Sequence, residues 1–472
     1  MLFPTATFTI FFLVVLPLSW LAMADLRRWR VFIVAASFVF YGWWDWHFVF
    51  LLAGCIVWNY LLAIQIYRAV PERARRAWLV LAVGGDLVLL GYFKYYDFFV
   101  SSAHNLAVQV GIGLPLSTRS IVLPVGISFF TFMAISYVVD VYRRDFDPVT
   151  FGRFAAYLSF FPHLVAGPIV RPGELLPQME TRRDPRRVDT SRAFYLIATG
   201  LFKKVVIANY LATHITDQVF AVPGSHSSAE LLVATYAYAV QIYADFSGYT
   251  DMAIGLALLL GFRFPQNFDS PYAAVSLRDF WRRWHMTLSR WLRDYLYIPL
   301  GGNRKGRLRT YANLMITFLL GGLWHGASWT FVVWGGIHGA GLSFEHWRRD
   351  RPGYMEPQPS RTGIWVRRAV TFNVVCLAWI FFRSDSIGQA WSMVTGLFTR
   401  WGEPAPLVTA GVLVWIVVGI ACQYLPSRIP LGVMARFSRL PVVGQAFVLG
   451  VALMLANAMG PQGIAPFIYF RF

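Results

Sequence analysis

Apolar runs of about 20 residues recur along the whole of this chain. They fall near residues 3–23, 31–44, 47–67, 77–92, 121–141, 151–170, 194–213, 229–260, 311–347, 369–382, 408–424 and 442–459. In hydrocarbon every backbone N–H and C=O must find a partner inside the protein, so runs of this kind must be helical. The composition agrees. Hydrophobic residues make up 57% of the 472 and charged residues only 14%, where a soluble chain carries about 25%. The expectation is an all-α polytopic membrane protein of one domain, residues 1–472. It should have about eleven transmembrane helices plus interfacial amphipathic helices. The first run has no basic region before it and no cleavage site, so it reads as a retained helix and not as a signal peptide.

A net charge of +18 would point a soluble chain toward nucleic acid. Here the basic residues sit in short loops, such as Asp25-Leu-Arg-Arg-Trp-Arg30. Residues 68–76 hold Arg68, Arg73, Arg75 and Arg76 against Glu72. That pattern fits cytoplasmic loops beside anionic lipid, so the partner is the lipid bilayer and no nucleic acid is expected. It places the N-terminus outside, and an odd number of spans places the C-terminus in the cytoplasm. Aromatic clusters such as Tyr41-Gly-Trp-Trp-Asp-Trp46 suit an interfacial belt. Cys55, Cys376 and Cys422 lie far apart. No zinc-binding spacing, Gly-rich phosphate loop or Gly-x-Ser-x-Gly elbow is present, so no metal is expected.

Residues 276–331 stand out. Placed on a helix, Phe280, Trp284, Leu288, Trp291 and Tyr295 form one apolar stripe, widened by Trp281 and Leu292. Arg282, Arg283, Arg290 and Arg293 cluster opposite it. The pattern predicts a continuous interfacial helix over 277–296, rings toward acyl chains and arginines toward phosphates. His285 falls at the edge of the stripe. The following apolar stretch, 311–347, is too long for one span and is punctuated by Gly321-Gly322, Gly326 and Gly335-Gly336. It predicts two helices or one broken helix. His325 sits at such a break, with no charged residue within twelve positions on either side. An ionisable side chain at that depth is costly and marks a functional site; a neutral histidine bonded to a carbonyl is the structural alternative.

Asp245 and Asp251 lie in another apolar run with Tyr243, Ser247 and Tyr249. They are candidates for orienting a substrate or a histidine, against plain helix-to-helix hydrogen bonding. Asp86 is expected to pair with a basic residue such as Lys94. His163 is a candidate for a cavity wall, and His338 is expected to pack against another helix.

Several blocks carry a resemblance. Phe280-Trp-Arg-Arg-Trp-His285, Arg293-Asp-Tyr-Leu-Tyr-Ile-Pro-Leu-Gly-Gly-Asn303 and Gly322-Leu-Trp-His-Gly326 resemble the membrane-bound O-acyltransferase (MBOAT) family. Tyr243-Ala-Asp-Phe-Ser-Gly-Tyr-Thr-Asp-Met-Ala-Ile-Gly255, Phe161-Pro-His-Leu-Val-Ala-Gly-Pro168 and the ending Phe467-Ile-Tyr-Phe470 are similar to further family blocks. The likeness is strongest over 123–341. It is to the bacterial branch with the alginate O-acetyltransferase membrane subunit and the teichoic-acid D-alanyl transferase. It implies that His325 is catalytic and His285 a second active-site residue. It also implies an acyl thioester such as acetyl-CoA as donor, with no tightly bound cofactor.

The resemblance further implies a cell-surface polysaccharide such as alginate as final acceptor, in the bacterial cytoplasmic (inner) membrane. A serine-hydrolase-like acetyltransferase outside the membrane is the implied partner. Asp245, Asp251, Trp324, Arg290 and Arg293 are the residues expected at the substrates. Imidazole titrates near neutral pH, which suits a base that takes a proton from an attacking hydroxyl. A transporter or flippase would also use broken helices, but the chain shows no inverted repeat.

Overall fold

The computed structural model describes residues 1, 3–112, 118–351, 360–426 and 428–459. The Phe467-Ile-Tyr-Phe470 block lies outside these. Among the described residues all regular structure is helical. Among the described residues four helical stretches are long and apolar enough to cross a membrane, His47–Arg68, Glu72–Gln109, Thr190–Ala221 and Arg361–Arg383, and the bent pair Ala410–Tyr424 and Arg428–Arg439 would make a fifth if it forms one span. The other apolar runs form shorter helices, such as Ala6–Ala22, helices separated by turns, or, at Ser228–Leu259, a 32-residue helix that carries Asp245 and Asp251. Apolar runs in the sequence and helices that meet both the length and the hydropathy of a span therefore do not match one to one.

The chain forms two compact units. The first comprises Met1–Ala193 and Ala253–Pro265, the second Phe194–Met252 and Gln266–Phe472. In the first, Asp25 caps the helix Leu26–Gly42 by accepting from Arg27 N and Arg28 N. Asp86 does not pair with Lys94. It accepts from Asn59 Nδ2 at 2.9 Å, while Lys94 Nζ lies 3.3 Å from Ser128 Oγ. Adjacent helices put Asn59 and Asp86 at the same level, and a neutral amide partners one oxygen of the buried carboxyl group without a second charge. His163 is buried. Its Nε2 is 3.0 Å from Tyr157 O, and its ring stacks on Phe264 at 5.3 Å.

In the second unit the helical run after Phe194 contains π-helical stretches at Phe202–Ala208 and Ala212–Thr216. It meets the long helix Ser228–Leu259 backbone to backbone. A Cβ on Gly200 would lie 2.5 Å from Gly248 O, so only glycine permits this approach. The closeness sets two lysines against two aspartates. Lys203 Nζ is 2.7 Å from Asp251 Oδ2, and Lys204 Nζ is 2.6 Å from Asp245 Oδ1, the latter pair buried. Further on, Arg307–His325 and Trp329–Arg349 form a tight helical hairpin. Here a Cβ on Gly322 would lie 2.2 Å from Phe331 O. The glycines that punctuate this stretch thus mark both its break and its closest contact.

Candidate active site

The expected continuous helix over 277–296 is broken at its histidine. Ser276 caps a short helix, Leu277–Arg283, by accepting from Asp279 N. Trp284 is extended. His285 has φ 42° and ψ 54°, the left-handed region, and a second short helix, Met286–Leu292, follows. That region is costly for a non-glycine residue, by about 1–3 kcal/mol, and persists where the surroundings enforce it.

Here they do. Residues 267–269 lie alongside, and Met286 N donates to Asn267 O while Asp269 N donates to Arg283 O, both at 2.9 Å. Asn267 Oδ1 also accepts from Thr287 N at 3.1 Å and Thr287 Oγ1 at 2.9 Å. The apolar stripe meets protein and not acyl chains: Phe280, Trp284, Leu288 and Trp291 are all buried. Periodicity identified the buried face correctly and assigned it the wrong surroundings.

His285 is fully buried, with Nδ1 3.2 Å from Asn267 Oδ1. Burial pushes its imidazole below the usual range, so the ring is neutral. Its ring meets Phe246 at 4.7 Å and Trp324 at 6.1 Å, both edge-on. Trp324 also meets His325 at 5.0 Å. The two histidines therefore share one indole, although 40 positions separate them in sequence.

His325 is the last residue of its helix. Gly326 is extended, and Ser328 caps the next helix by accepting from Thr330 N. Trp334 and Phe382 complete the aromatic wall of His325 at 4.9 Å and 5.3 Å. His338 packs between helices, as expected. It accepts from Trp281 Nε1 at 3.3 Å and meets the far side of the cluster through Trp334 at 5.0 Å.

Arg290 and Arg293 line a cavity of about 800 Å³. Arg278, Arg282 and Arg349 line it too, so five guanidinium groups face one space. Its apolar wall includes Trp281, Phe318 and Thr317. Trp281 lies 5.7 Å from Trp334, the ring that touches His325. Thr317 is eight residues before His325 on the same helix, or about 12 Å along its axis. The charged cavity and the buried histidine are thus near neighbours within one unit.

The other expected substrate residues are placed differently. Asp245 and Asp251 spend their carboxylates on Lys204 and Lys203, although Phe246, next to Asp245, touches His285. Sequence reasoning missed Asn267, Phe246, Trp334 and Phe382. Asn267 lies 18 residues before His285 in an irregular loop, with no periodicity to mark it.

A polytopic helical chain with a pair of buried histidines beside a cationic cavity describes a membrane-embedded transferase. Comparison gives the family. Residues 118–384 match the family model of the membrane-bound O-acyltransferases. The chain is 38% identical over 473 residues to the probable alginate O-acetylase AlgI of Pseudomonas putida, covering 94% of this chain and 95% of that one. It is 38% identical over 395 residues to the peptidoglycan O-acetyltransferase of Helicobacter pylori, covering 78% and 73%. A teichoic acid D-alanyltransferase of Streptococcus thermophilus is 28% identical over 298 residues, covering 58% and 71%. The chain belongs to the membrane-bound O-acyltransferase family and is a multi-pass membrane enzyme.

Proposed function

We propose that this enzyme moves an acetyl group from cytoplasmic acetyl-CoA to a hydroxyl on the extracytoplasmic side, for O-acetylation of a cell-surface polysaccharide such as alginate. The observation that carries the reading is the cavity. Five arginines suit the phosphates of a CoA thioester. Its volume of about 800 Å³ lies within the usual range of ligand sites, about 300–1,000 Å³. The aromatic wall beyond it leads to His325 through Trp281 and Trp334.

His325 acts as general base. It takes the hydroxyl proton as the oxygen attacks the thioester carbonyl. The C–S bond breaks, and the thiolate recovers that proton to leave as free CoA thiol. The dry aromatic surroundings limit hydrolysis of the thioester. His285 orients the acceptor. The names of the alginate and peptidoglycan relatives support acetyl as the acyl group and a surface polymer as the destination. The basic early loops favour an outside N-terminus in the bacterial inner membrane, and an odd number of spans would then put the C-terminus in the cytoplasm. A serine-hydrolase-like partner outside the membrane would take the acetyl group onward to the polymer.

Sealed vesicles with acetyl-CoA on one side test the reading. Free CoA should form on the donor side, and acetylated polysaccharide should form across the bilayer only with the partner present. Efficient acetylation of free polysaccharide by this chain alone, with donor and polymer on one side, would overturn both the through-membrane route and the partner.

A further inference from the structure

Three donors converge on one atom of Asn267. Its Oδ1 lies 3.1 Å from Thr287 N, 2.9 Å from Thr287 Oγ1 and 3.2 Å from His285 Nδ1. A backbone N–H can only donate, so the amide atom facing it must be oxygen; the rotated amide would set its NH₂ against that N–H. The oxygen in turn only accepts. His285 Nδ1, held at the same oxygen, must therefore carry the proton. In the neutral ring this leaves the lone pair on Nε2. His285 Nε2 and Asn267 Nδ2 are both buried and make no hydrogen bond among the described residues. One side-chain pair thus leaves an acceptor and an amide donor in a wall otherwise built of Phe246 and Trp324.

We infer that Asn267 is a positioning residue that holds His285 as the Nδ1–H tautomer, so that Nε2 accepts a hydrogen bond from a second hydroxyl of the acyl acceptor, beside the attacking one whose proton His325 takes. The tautomer rests on geometry alone; the hydroxyl rests on the proposed acyl transfer. A neutral ring held this way cannot donate from Nε2, so it cannot polarise the thioester carbonyl. The left-handed backbone at His285 has the same origin. The bonds from residues 267–269 to Arg283, Met286 and Thr287 turn the chain at this one residue and fix its ring against the amide.

The charged groups on the elements packed against His285 are mostly paired or basic. Asp245 and Asp251, on the helix of Phe246, are paired with Lys204 and Lys203. His325 follows Trp324, and Asp269 shares the loop of Asn267. Arg278, Asp279, Arg282, Arg283 and Arg290 lie on the two flanking short helices, Asp279 paired with Arg283 at 2.9 Å.

The test reads the tautomer and the turnover separately, in the full chain. Histidine side-chain ¹⁵N NMR, with the His285 signal identified by its loss in His285→Gln, should show Nδ1 protonated and Nε2 bare. Asn267→Leu should release that tautomer and lower acetyl transfer by roughly 10- to 100-fold, the range typical of losing a partner that orients a functional histidine. Since this variant also strips Thr287 of its acceptor, Asn267→Asp is the sharper probe. A carboxylate keeps all three acceptor contacts and adds charge beside the imidazole, stabilising its protonated form. The acid limb of the rate profile should then move to higher pH by about one unit or more. A purely structural Asn267 would leave that limb in place. An Nε2–H signal in the unmodified protein overturns the inference at once, whatever the enzyme turns over. The expected tautomer with unchanged rate and pH profile in both variants overturns the hydroxyl-accepting role, and leaves the reading of His325 untouched.

Discussion

At His325 the helix stops for local reasons: Gly326 turns extended and Ser328 caps the next helix. At His285 nothing in the neighbouring residues stops it. The stretch from Leu277 to Leu292 keeps helical periodicity throughout, yet the chain turns left-handed at the histidine because a loop some 18 residues earlier bonds to both sides of the turn. One break is written in glycine and serine. The other is imposed by tertiary contact against the local preference. A histidine placed by its own turn tolerates distant change; one placed by a docked loop depends on that loop.

Substitution of the histidines tests this contrast most strongly. His325→Ala should leave the fold intact and lower acyl transfer by at least about 100-fold, the usual loss for an acid-base group. His285→Ala should weaken transfer less and leave part of the thioester cleavage, measured as free CoA. Equal and complete loss of both activities in the two variants would erase the distinction drawn between them.

The cavity separates binding from chemistry. Replacing Arg290 and Arg293 with Glu should raise the apparent KM for acetyl-CoA several-fold more than it lowers kcat, because guanidinium groups on the phosphates hold ground state and transition state alike. A fall in kcat at constant KM would remove the cavity from the donor's path.

The smallest effects are in stability: an added Cβ costs at one break, and at the other a removed side chain is partly offset by relieved backbone strain. Gly322→Ala inserts a Cβ 2.2 Å from Phe331 O and should destabilise by about 1–3 kcal/mol, as overpacking does. His285→Gly removes the left-handed penalty and should offset part of the lost packing, leaving the variant more stable than His285→Ala by up to about 1 kcal/mol. Thermal unfolding in detergent measures both. If His285→Ala is the more stable of the pair, the turn at His285 stores no strain.

The sequence alone was enough to establish the helical membrane class, because unbroken apolar runs of about 20 residues pair their backbone as helices, whereas barrel strands are shorter and alternate in polarity. It also marked His325 and the hairpin around it, since glycine, serine and an isolated histidine are signals carried by adjacent residues. Helical spacing found the buried stripe through Phe280, Trp284 and Leu288, but spacing reports only that a face is apolar and not whether lipid or protein covers it. What covers it, and what Asp245 and Asp251 bind, was decided by Gly200 meeting Gly248 and by a loop docking at Asn267. Those contacts join residues 18 to 48 positions apart. Their energy comes from atoms that meet only once the helices have packed, so no local pattern along the chain announces them.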